Sequence, residues 1–269
     1  MISSFEGFIL ANKETIIDKL KYGLTTTLVF LSLSLLIPHA MAESKSPEII
    51  AESWAMTPKS GKSGDFQVAL KDHSKHRAEL KDPRKWDLYS QILGNNMDTV
   101  IARSFGFTWA DMDAYASWSQ DKNPGQHFND MVMPNVSNLG HYLSVIDVVN
   151  SHWGPEVTFR YVGVSSYHVK QGHQGAMEKD IKLFSDVAKA NNWPYNWSWA
   201  QGVGGEGNMS LAIPYKNWAA MAPPEQEFNE MMAKHLKSEK KAKKVFERWQ
   251  SHFESVEYNV YVLRTDLMP

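Results

Sequence analysis

The sequence contains no cysteine among its 269 residues. This absence excludes a disulfide framework, a zinc–thiolate site, an iron–sulfur cluster and a thiol nucleophile. An excess of one charge is also missing: 28 basic and 30 acidic residues leave a net charge of −2, which is not the footprint of a nucleic-acid-binding protein. Hydrophobic residues make up 43% of the chain, too many for a disordered protein. The composition therefore predicts a globular protein with one large domain or two small ones.

The N-terminal region has the organisation of a secretory signal peptide. Residues 24–37, LTTTLVFLSLSLLI, carry no charge; three lysines precede them and Ala40-Met41-Ala42 follows. A helix of that length spans about 21 Å, whereas a bilayer core is roughly 30 Å thick, so a membrane anchor is the less favoured alternative. We expect residues 1–42 to be removed. The mature protein is then periplasmic or secreted and makes no membrane contact.

Residues 59–94 resemble residues 170–205 when the chain is shifted against itself by 111 positions. This offset gives eight identities, several times the roughly two that average composition predicts. They are Lys59/Lys170, Gly61/Gly172, Gly64/Gly175, Lys71/Lys182, Ser74/Ser185, Pro83/Pro194, Trp86/Trp197 and Gly94/Gly205. Further identities follow at offsets of 109 and 100, the latter including Ser151-His152 with Ser251-His252. The pattern predicts an internal repeat with halves 47–162 and 163–269.

Each half has the same predicted order of elements, strand–helix–strand–strand–helix–strand. In the first half the strands are 49–56, 86–92 and 98–107, and the helices begin after Gly64 and at about 137. In the second half we expect helices at about 175–191 and 225–255, an aromatic strand between them, and a last strand at 257–265. A single strand bent at Gly163 is expected to join the halves. Residues 119–137 are expected to form a loop, either a lid over a barrel mouth or a surface excursion.

This order is the ferredoxin-like plan, and two such units packed sheet on sheet form an α+β eight-stranded barrel. The arrangement resembles the single-chain form of the dimeric α/β-barrel superfamily, which includes antibiotic-biosynthesis monooxygenase-like, EthD-like and NIPSNAP-like proteins. The resemblance implies the fold and transfers no catalytic residue. Because some members bind haem, it also allows a haem cofactor, although the residue pattern requires no cofactor.

The histidines offer two candidate groups. His73 and His76 are three residues apart on one helix, a spacing that suits a metal pair, but their counterparts Phe184 and Val187 favour packing, so we predict no metal site. His152 and His252 match in the repeat and are expected at helix ends. There they either cap the helix or line the barrel as a proton acceptor or haem ligand.

Other motifs indicate ordinary structure. The loops after Lys59 and Lys170 lack a phosphate-binding pattern, so their glycines are expected to form tight turns and an anion site is the less favoured alternative. The basic run at 234–244 is expected to be the solvated face of a helix. No GxSxG sequence marks a nucleophilic serine.

An aromatic stripe is the most informative feature. Trp193, Tyr195, Trp197 and Trp199 alternate along one strand, so they share a face that either packs under the helices or lines a cavity between the sheets. Trp86 is the repeat partner of Trp197. The candidate ligand site comprises Trp86, Trp197, Trp199, His152 and His252.

The functional prediction is therefore a protein that binds a small apolar or aromatic molecule between its two sheets. One alternative is a metal-independent monooxygenase-like enzyme, which needs a base in the cavity. Another is a structural or partner-binding protein whose barrel is filled by side chains.

Overall fold

The computed structural model describes residues 48–154, 157–204, 208–225 and 227–269. The predicted signal peptide, residues 1–42, lies outside the described residues. Within them, no helix combines the length and apolar character that crossing a membrane requires.

Eight strands and six helices make up most of the described chain. The strands are β1 (Ile49–Pro58), β2 (Asp87–Leu93), β3 (Val100–Phe107), β4 (Val136–His152), β5 (Tyr161–Val169), β6 (Trp197–Val203), β7 (Met209–Tyr215) and β8 (Phe253–Leu263). The helices are α1 (Ser63–Glu79), α2 (Trp109–Lys122), α3 (Pro124–His127), α4 (Gln174–Ala190), α5 (Phe228–His235) and α6 (Glu239–Ser251). Short π and 3-10 turns add Phe128–Val132, Met133–Asn135, Ala219–Met221 and Thr265–Leu267.

The eight strands form one closed barrel in the order β1-β3-β2-β8-β5-β7-β6-β4, and all neighbours are antiparallel. The order β4-β1-β3-β2 in the first half recurs as β8-β5-β7-β6 in the second. The two sheets face each other and also join edge to edge, through β2 with β8 and β4 with β6. Closure leaves no free sheet edge. The prediction of an α+β eight-stranded barrel is confirmed.

The prediction of a helix at 137–152 is wrong, because these residues form β4. Leu139, Tyr142, Leu143 and Ile146 fit a helical spacing, but the β-branched run around Val145 favours a strand. The helices before β4 are α2 and α3. Residues 119–137 therefore do not form a lid over a barrel mouth: Val132 and Val136 are buried in the cluster under α1, together with Phe128 and Met133.

The joint between the halves also differs from the prediction. β4 ends at His152 and β5 begins at Tyr161, so no single bent strand serves both halves, and the expected division after residue 162 falls inside β5. Among the identities at an offset of 100, Val145 lies in β4 but Val245 lies in α6, so these two positions are not equivalent.

The predicted helix at 225–255 is interrupted. Lys237 adopts a left-handed conformation, with φ of 51°, and ends the helical run after α5. Ser238 then caps α6 by accepting a bond from the Lys241 backbone N–H. The break lets two short helices follow the curved surface of the barrel.

Helices cover the outer surface of the barrel and create two main apolar clusters there. Under α1, Phe66 and Leu70 pack with Met56 and Leu88 of the first half. Under α4 and α6, Met177 and Ile181 pack against strand residues of the second half. Full burial of each such side chain contributes about 1.5–3 kcal/mol. These clusters also define the outward face of each strand, and with it the residues that point into the barrel.

Candidate functional site in the barrel interior

Trp197 and Trp199 belong to the outer core and not to the barrel interior. They are 6% and 4% exposed and pack in the cluster under α4. The Nε1–H of Trp197 donates to the carbonyl of Asn150 at 2.7 Å. The aromatic stripe therefore takes the helix-covered face, and these two predicted ligand-site residues do not line a cavity between the sheets.

Trp86 lies on the outer face of the other half. It directly precedes β2, and its Nε1–H donates to Asp82 at 3.1 Å. The guanidinium of Arg77 lies 5.2 Å from the centre of the Trp86 ring. The structure thus separates Trp86 from Trp197 and gives it a role in packing against α1.

His152 and His252 do not occupy equivalent positions. His152 is exposed at the end of β4, with its ring 5.1 Å from that of Trp197. His252 follows α6 and is only 2% exposed. Its Nε2 lies 3.0 Å from Asp180, and its Nδ1 lies 3.1 Å from the Nδ1 of His173. Both ring nitrogens are occupied, so His252 does not fit the role of a haem ligand.

His73 is a buried packing residue, 4% exposed. Burial, reinforced by Arg77 and neighbouring histidines, lowers the pKa of His73 to about 3. Its Nδ1 lies 3.3 Å from the Nδ1 of His127, a contact that sequence spacing did not predict. Across the described residues, no three histidine, aspartate or glutamate side chains are placed to hold a metal ion.

The barrel interior is lined by the residues that alternate with the outer core. Because Trp197, Trp199 and Met209 point outward, Ser198, Ala200, Ser210 and Ala212 must point inward. Strand register places Ser53 opposite Arg103 and Tyr89 opposite Ile101, on the inward face of the first half.

The second half contributes small inward side chains. They are Val162, Val164, Ser166, Ser198, Ala200, Gly202, Ser210 and Ala212. Ser166, Ser198, Ser210 and Ala212 are only half-buried, although they lie inside a closed barrel. Solvent therefore reaches part of the inner wall of the barrel. An eight-stranded barrel can hold one small ligand.

The first half contributes a cation to this interior. The Nη1 of Arg103 donates to Ser53 Oγ at 2.9 Å. Burial lowers the pKa of the Arg103 guanidinium, and the neighbouring Tyr89 partly offsets that effect. In the part of the chain that the structure describes, Arg103 forms no ion pair.

Two phenols accompany Arg103. Tyr89 lies on β2 and Tyr261 on β8, and both point inward by register. Burial is the main cause that raises the pKa of Tyr89. Burial and Glu257 raise the pKa of Tyr261. Both side chains therefore remain protonated near neutral pH and can donate a hydrogen bond to a ligand.

A hydrogen bond across the junction of the halves completes the polar part of the interior. Gln91 Nε2 donates to Asn259 Oδ1 at 3.0 Å, joining β2 to β8. The large polar side chains thus lie on β2, β3 and β8, whereas the inward side chains of β6 and β7 are small and include Ser198 and Ser210. This polarity suits a ligand with one polar end and an apolar body.

Sequence reasoning missed Arg103. The strand VIARSFGF alternates Ile101, Arg103 and Phe105 on one face. A single charge in an otherwise apolar strand was the available signal, because a buried charge needs a partner or a function. The alternation within β3 does not indicate which of its two faces points into the barrel.

The comparisons with known proteins show similarity in fold only. No family model and no curated protein match the chain. A candidate monooxygenase from Fusobacterium nucleatum aligns with a TM-score of 0.54 and 10% identity, covering 81% of this chain and 93% of that one. A candidate monooxygenase from Lactobacillus acidophilus gives 0.50 and 10%, covering 81% and 95%.

A mutant chlorite dismutase from Candidatus Nitrospira defluvii aligns with a TM-score of 0.50 and 8% identity, covering 80% of this chain and 91% of that one. Similarity at this identity extends to the backbone and not to the site residues. The chain therefore shares the fold of these two candidate monooxygenases and this chlorite dismutase.

Proposed function

We propose that this protein binds a small aromatic or apolar molecule inside its barrel. The observation that carries the proposal is the solvent access of Ser166, Ser198, Ser210 and Ala212 within a closed barrel. Space that water reaches, with apolar and small walls, favours a ligand that removes apolar surface from water.

The walls suit a flat molecule. Ile101 and Val164 supply aliphatic surface, and Tyr89 and Tyr261 supply ring faces and edges, all from inward positions. The small residues on the opposite side leave room for a ring system. Aromatic contacts of this kind add about 0.5–1.5 kcal/mol beyond the area buried.

The uncharged dye phenylnaphthylamine, which fluoresces strongly in an apolar environment, tests the proposal. We expect saturable binding by the unaltered protein and its loss in Ala212→Phe, which places a ring in the interior. Ala114→Phe adds the same ring on the exposed surface of α2 and is the matched control. Undiminished dye binding by Ala212→Phe would place the dye elsewhere and refute the proposal.

A monooxygenase-like activity is the second candidate, favoured by the fold shared with two candidate monooxygenases. It requires an electron-rich substrate in the same interior. The test is oxygen uptake with a readily oxidised polyphenol, with one O₂ consumed per molecule oxidised and with activity lost in Ala212→Phe. If the polyphenol binds without oxygen uptake, only the binding function stands.

Export is part of the proposal. The order of charges, apolar run and Ala40-Met41-Ala42 supports cleavage after Ala42. Intact-mass measurement of the protein from a periplasmic fraction should give a chain that begins at Glu43. A full-length mass in the cytoplasmic fraction would contradict export.

A further inference from the structure

We infer that the barrel ligand carries an anionic oxygen group, as an aromatic acid does, and that Arg103 holds that group. The inference rests on the proposed function, because it assumes that the interior binds a ligand. It goes further by assigning the chemical class of the ligand, its orientation and the residue that selects it.

The charge balance around the arginines supports this assignment. Four other described arginines face a carboxylate: Arg77 with Asp82, Arg84 with Glu52, Arg248 with Asp180 and Arg264 with Asp266. Arg160 has no such partner among the described residues, but it is exposed to water. Among the described arginines, Arg103 alone combines an interior position with the lack of an ion pair.

An interior cation without a counter-charge is costly. Removing a charge from water is unfavourable unless an opposite charge or several hydrogen bonds replace the lost hydration. Among the described residues, Arg103 donates a side-chain hydrogen bond to the neutral Ser53 hydroxyl. Asp87, opposite Arg103 in the strand register, instead lies 3.3 Å from Lys85. A bound anion would supply the missing charge.

The donor set fits an oxyanion. A guanidinium carries five N–H donors in a planar fork, and one nitrogen of Arg103 is committed to Ser53. The remaining edge can hold two oxygens of a carboxylate or sulfonate in parallel bonds. Tyr89, whose electrostatic influence on Arg103 places it nearby, stays protonated and offers a further O–H.

The position of these groups sets the orientation of the ligand. The anionic end lies against Arg103 on the side of β1, β2 and β3. The ring system extends toward Ala200 and Ala212 on β6 and β7, where the side chains are smallest. The cation thus selects ligands by charge, while the small residues set the size of the ring system.

A matched pair of dyes tests the inference. Anilinonaphthalene sulfonate and phenylnaphthylamine share one aromatic skeleton and differ in the sulfonate. We expect Arg103→Met to weaken binding of the sulfonate dye by about 10- to 100-fold, the usual range for a hydrogen bond to a charged group. Binding of the uncharged dye should change by less than about twofold, because its contacts are apolar. Arg160→Met is the control and should alter neither affinity.

Arg103→Lys keeps the positive charge but loses the planar set of N–H donors that can bind two oxygens in parallel. It provides a second readout if Arg103→Met folds poorly. We expect a several-fold loss for the sulfonate dye and none for the uncharged dye.

The outcomes separate the two proposals. If both dyes bind and Arg103→Met changes neither, the anion assignment is wrong while the proposed function stands. An equal loss of both dyes in Arg103→Met would make Arg103 structural and would also overturn the assignment. If neither dye binds the unaltered protein, the proposed function itself fails.

Discussion

Lys59 and Lys170 make the same pair of bonds in the two halves of the barrel. The Nζ of Lys59 donates to the Pro134 carbonyl at 2.7 Å, and its backbone N–H donates to the Asn135 carbonyl at 2.8 Å. Lys170 repeats this with Ser251 at 3.1 Å and His252 at 2.8 Å. Each lysine thus satisfies carbonyls at the end of the helical segment before the last strand of its half.

The shared lysine bonds leave the anion-site alternative without support. Each lysine ammonium points to carbonyl oxygens within the fold. We expect Lys59→Met and Lys170→Met to lower the free energy of unfolding by up to about 1 kcal/mol each. Urea denaturation of both variants measures this. A large loss in one variant and none in the other would contradict equivalent roles.

Trp197→Ala should destabilise the protein strongly. The residue is 6% exposed within the cluster under α4, and truncating such a ring costs about 3–5 kcal/mol. Urea denaturation gives the magnitude. At urea concentrations where the variant is still folded, its affinity for phenylnaphthylamine should match that of the unaltered protein, because Trp197 points away from the interior. A selective loss of dye affinity without a loss of stability would place Trp197 in the site.

Removing the carboxylate of Asp180 should destabilise the protein, because buried hydrogen bonds are lost. Asp180 is 1% exposed and accepts bonds from Arg248 and from His252 at 3.0 Å. Arg248 is half-exposed, so water can replace the carboxylate there, but the buried His252 ring loses its partner, which costs about 1–3 kcal/mol. We expect a loss of that order for Asp180→Ala in thermal or urea unfolding. Asp186→Ala, on the exposed face of α4, is the control and should change stability by less than about 0.5 kcal/mol.

The pH dependence of stability should include a contribution from His73. Its pKa is about 3 in the folded state and about 6.5 in an unfolded chain, so between these values the unfolded state binds more protons. Stability therefore falls as the pH falls below about 6.5, by up to about 1.4 kcal/mol per pH unit. His73→Phe, which introduces the residue found at Phe184, should flatten this part of the curve.

Denaturation at pH 5 and pH 7.5 measures the His73 effect. The control is His152→Gln, because His152 is exposed. The explanation fails if His73→Phe keeps the full pH dependence of the unaltered protein.

Gly94 is required at the junction of β2 and β8. Its φ is 120°, and a Cβ there would lie 1.9 Å from Asn259 Oδ1 and 2.3 Å from Gln91 Nε2. Gly94→Ala should therefore break the hydrogen bond between Gln91 and Asn259 as well as strain the backbone. Gly106 has a φ of 91° and open space at its Cβ position, so Gly106→Ala isolates the backbone strain.

We expect Gly106→Ala to cost about 1–3 kcal/mol, the usual range for backbone strain, and Gly94→Ala to cost more. Thermal unfolding compares the two variants. Equal losses would show that the side chains of Gln91 and Asn259 give way without consequence.

The order of elements was readable from the sequence. Runs of β-forming residues predict β1 and β3, and alternation at 86–92 predicts β2. Helical spacing after Gly64 and Gly175 predicts α1 and α4, because this pattern reflects one buried face. The stretch that forms β4 was misread, since Leu139, Leu143 and Ile146 satisfy a helical spacing by coincidence. Periodicity alone does not separate such cases when both neighbours of a segment are unknown.

Only the tertiary structure decided which face of each strand is internal. Alternation places Trp197 and Trp199 on one face and Ser198 and Ala200 on the other, but the positions of α4 and α6 determine which face is outside. The same is true of Arg103, whose contact with Ser53 exists because β1 and β3 pair in one particular register. A strand specifies its two faces locally, whereas the interior is created by closure of all eight strands.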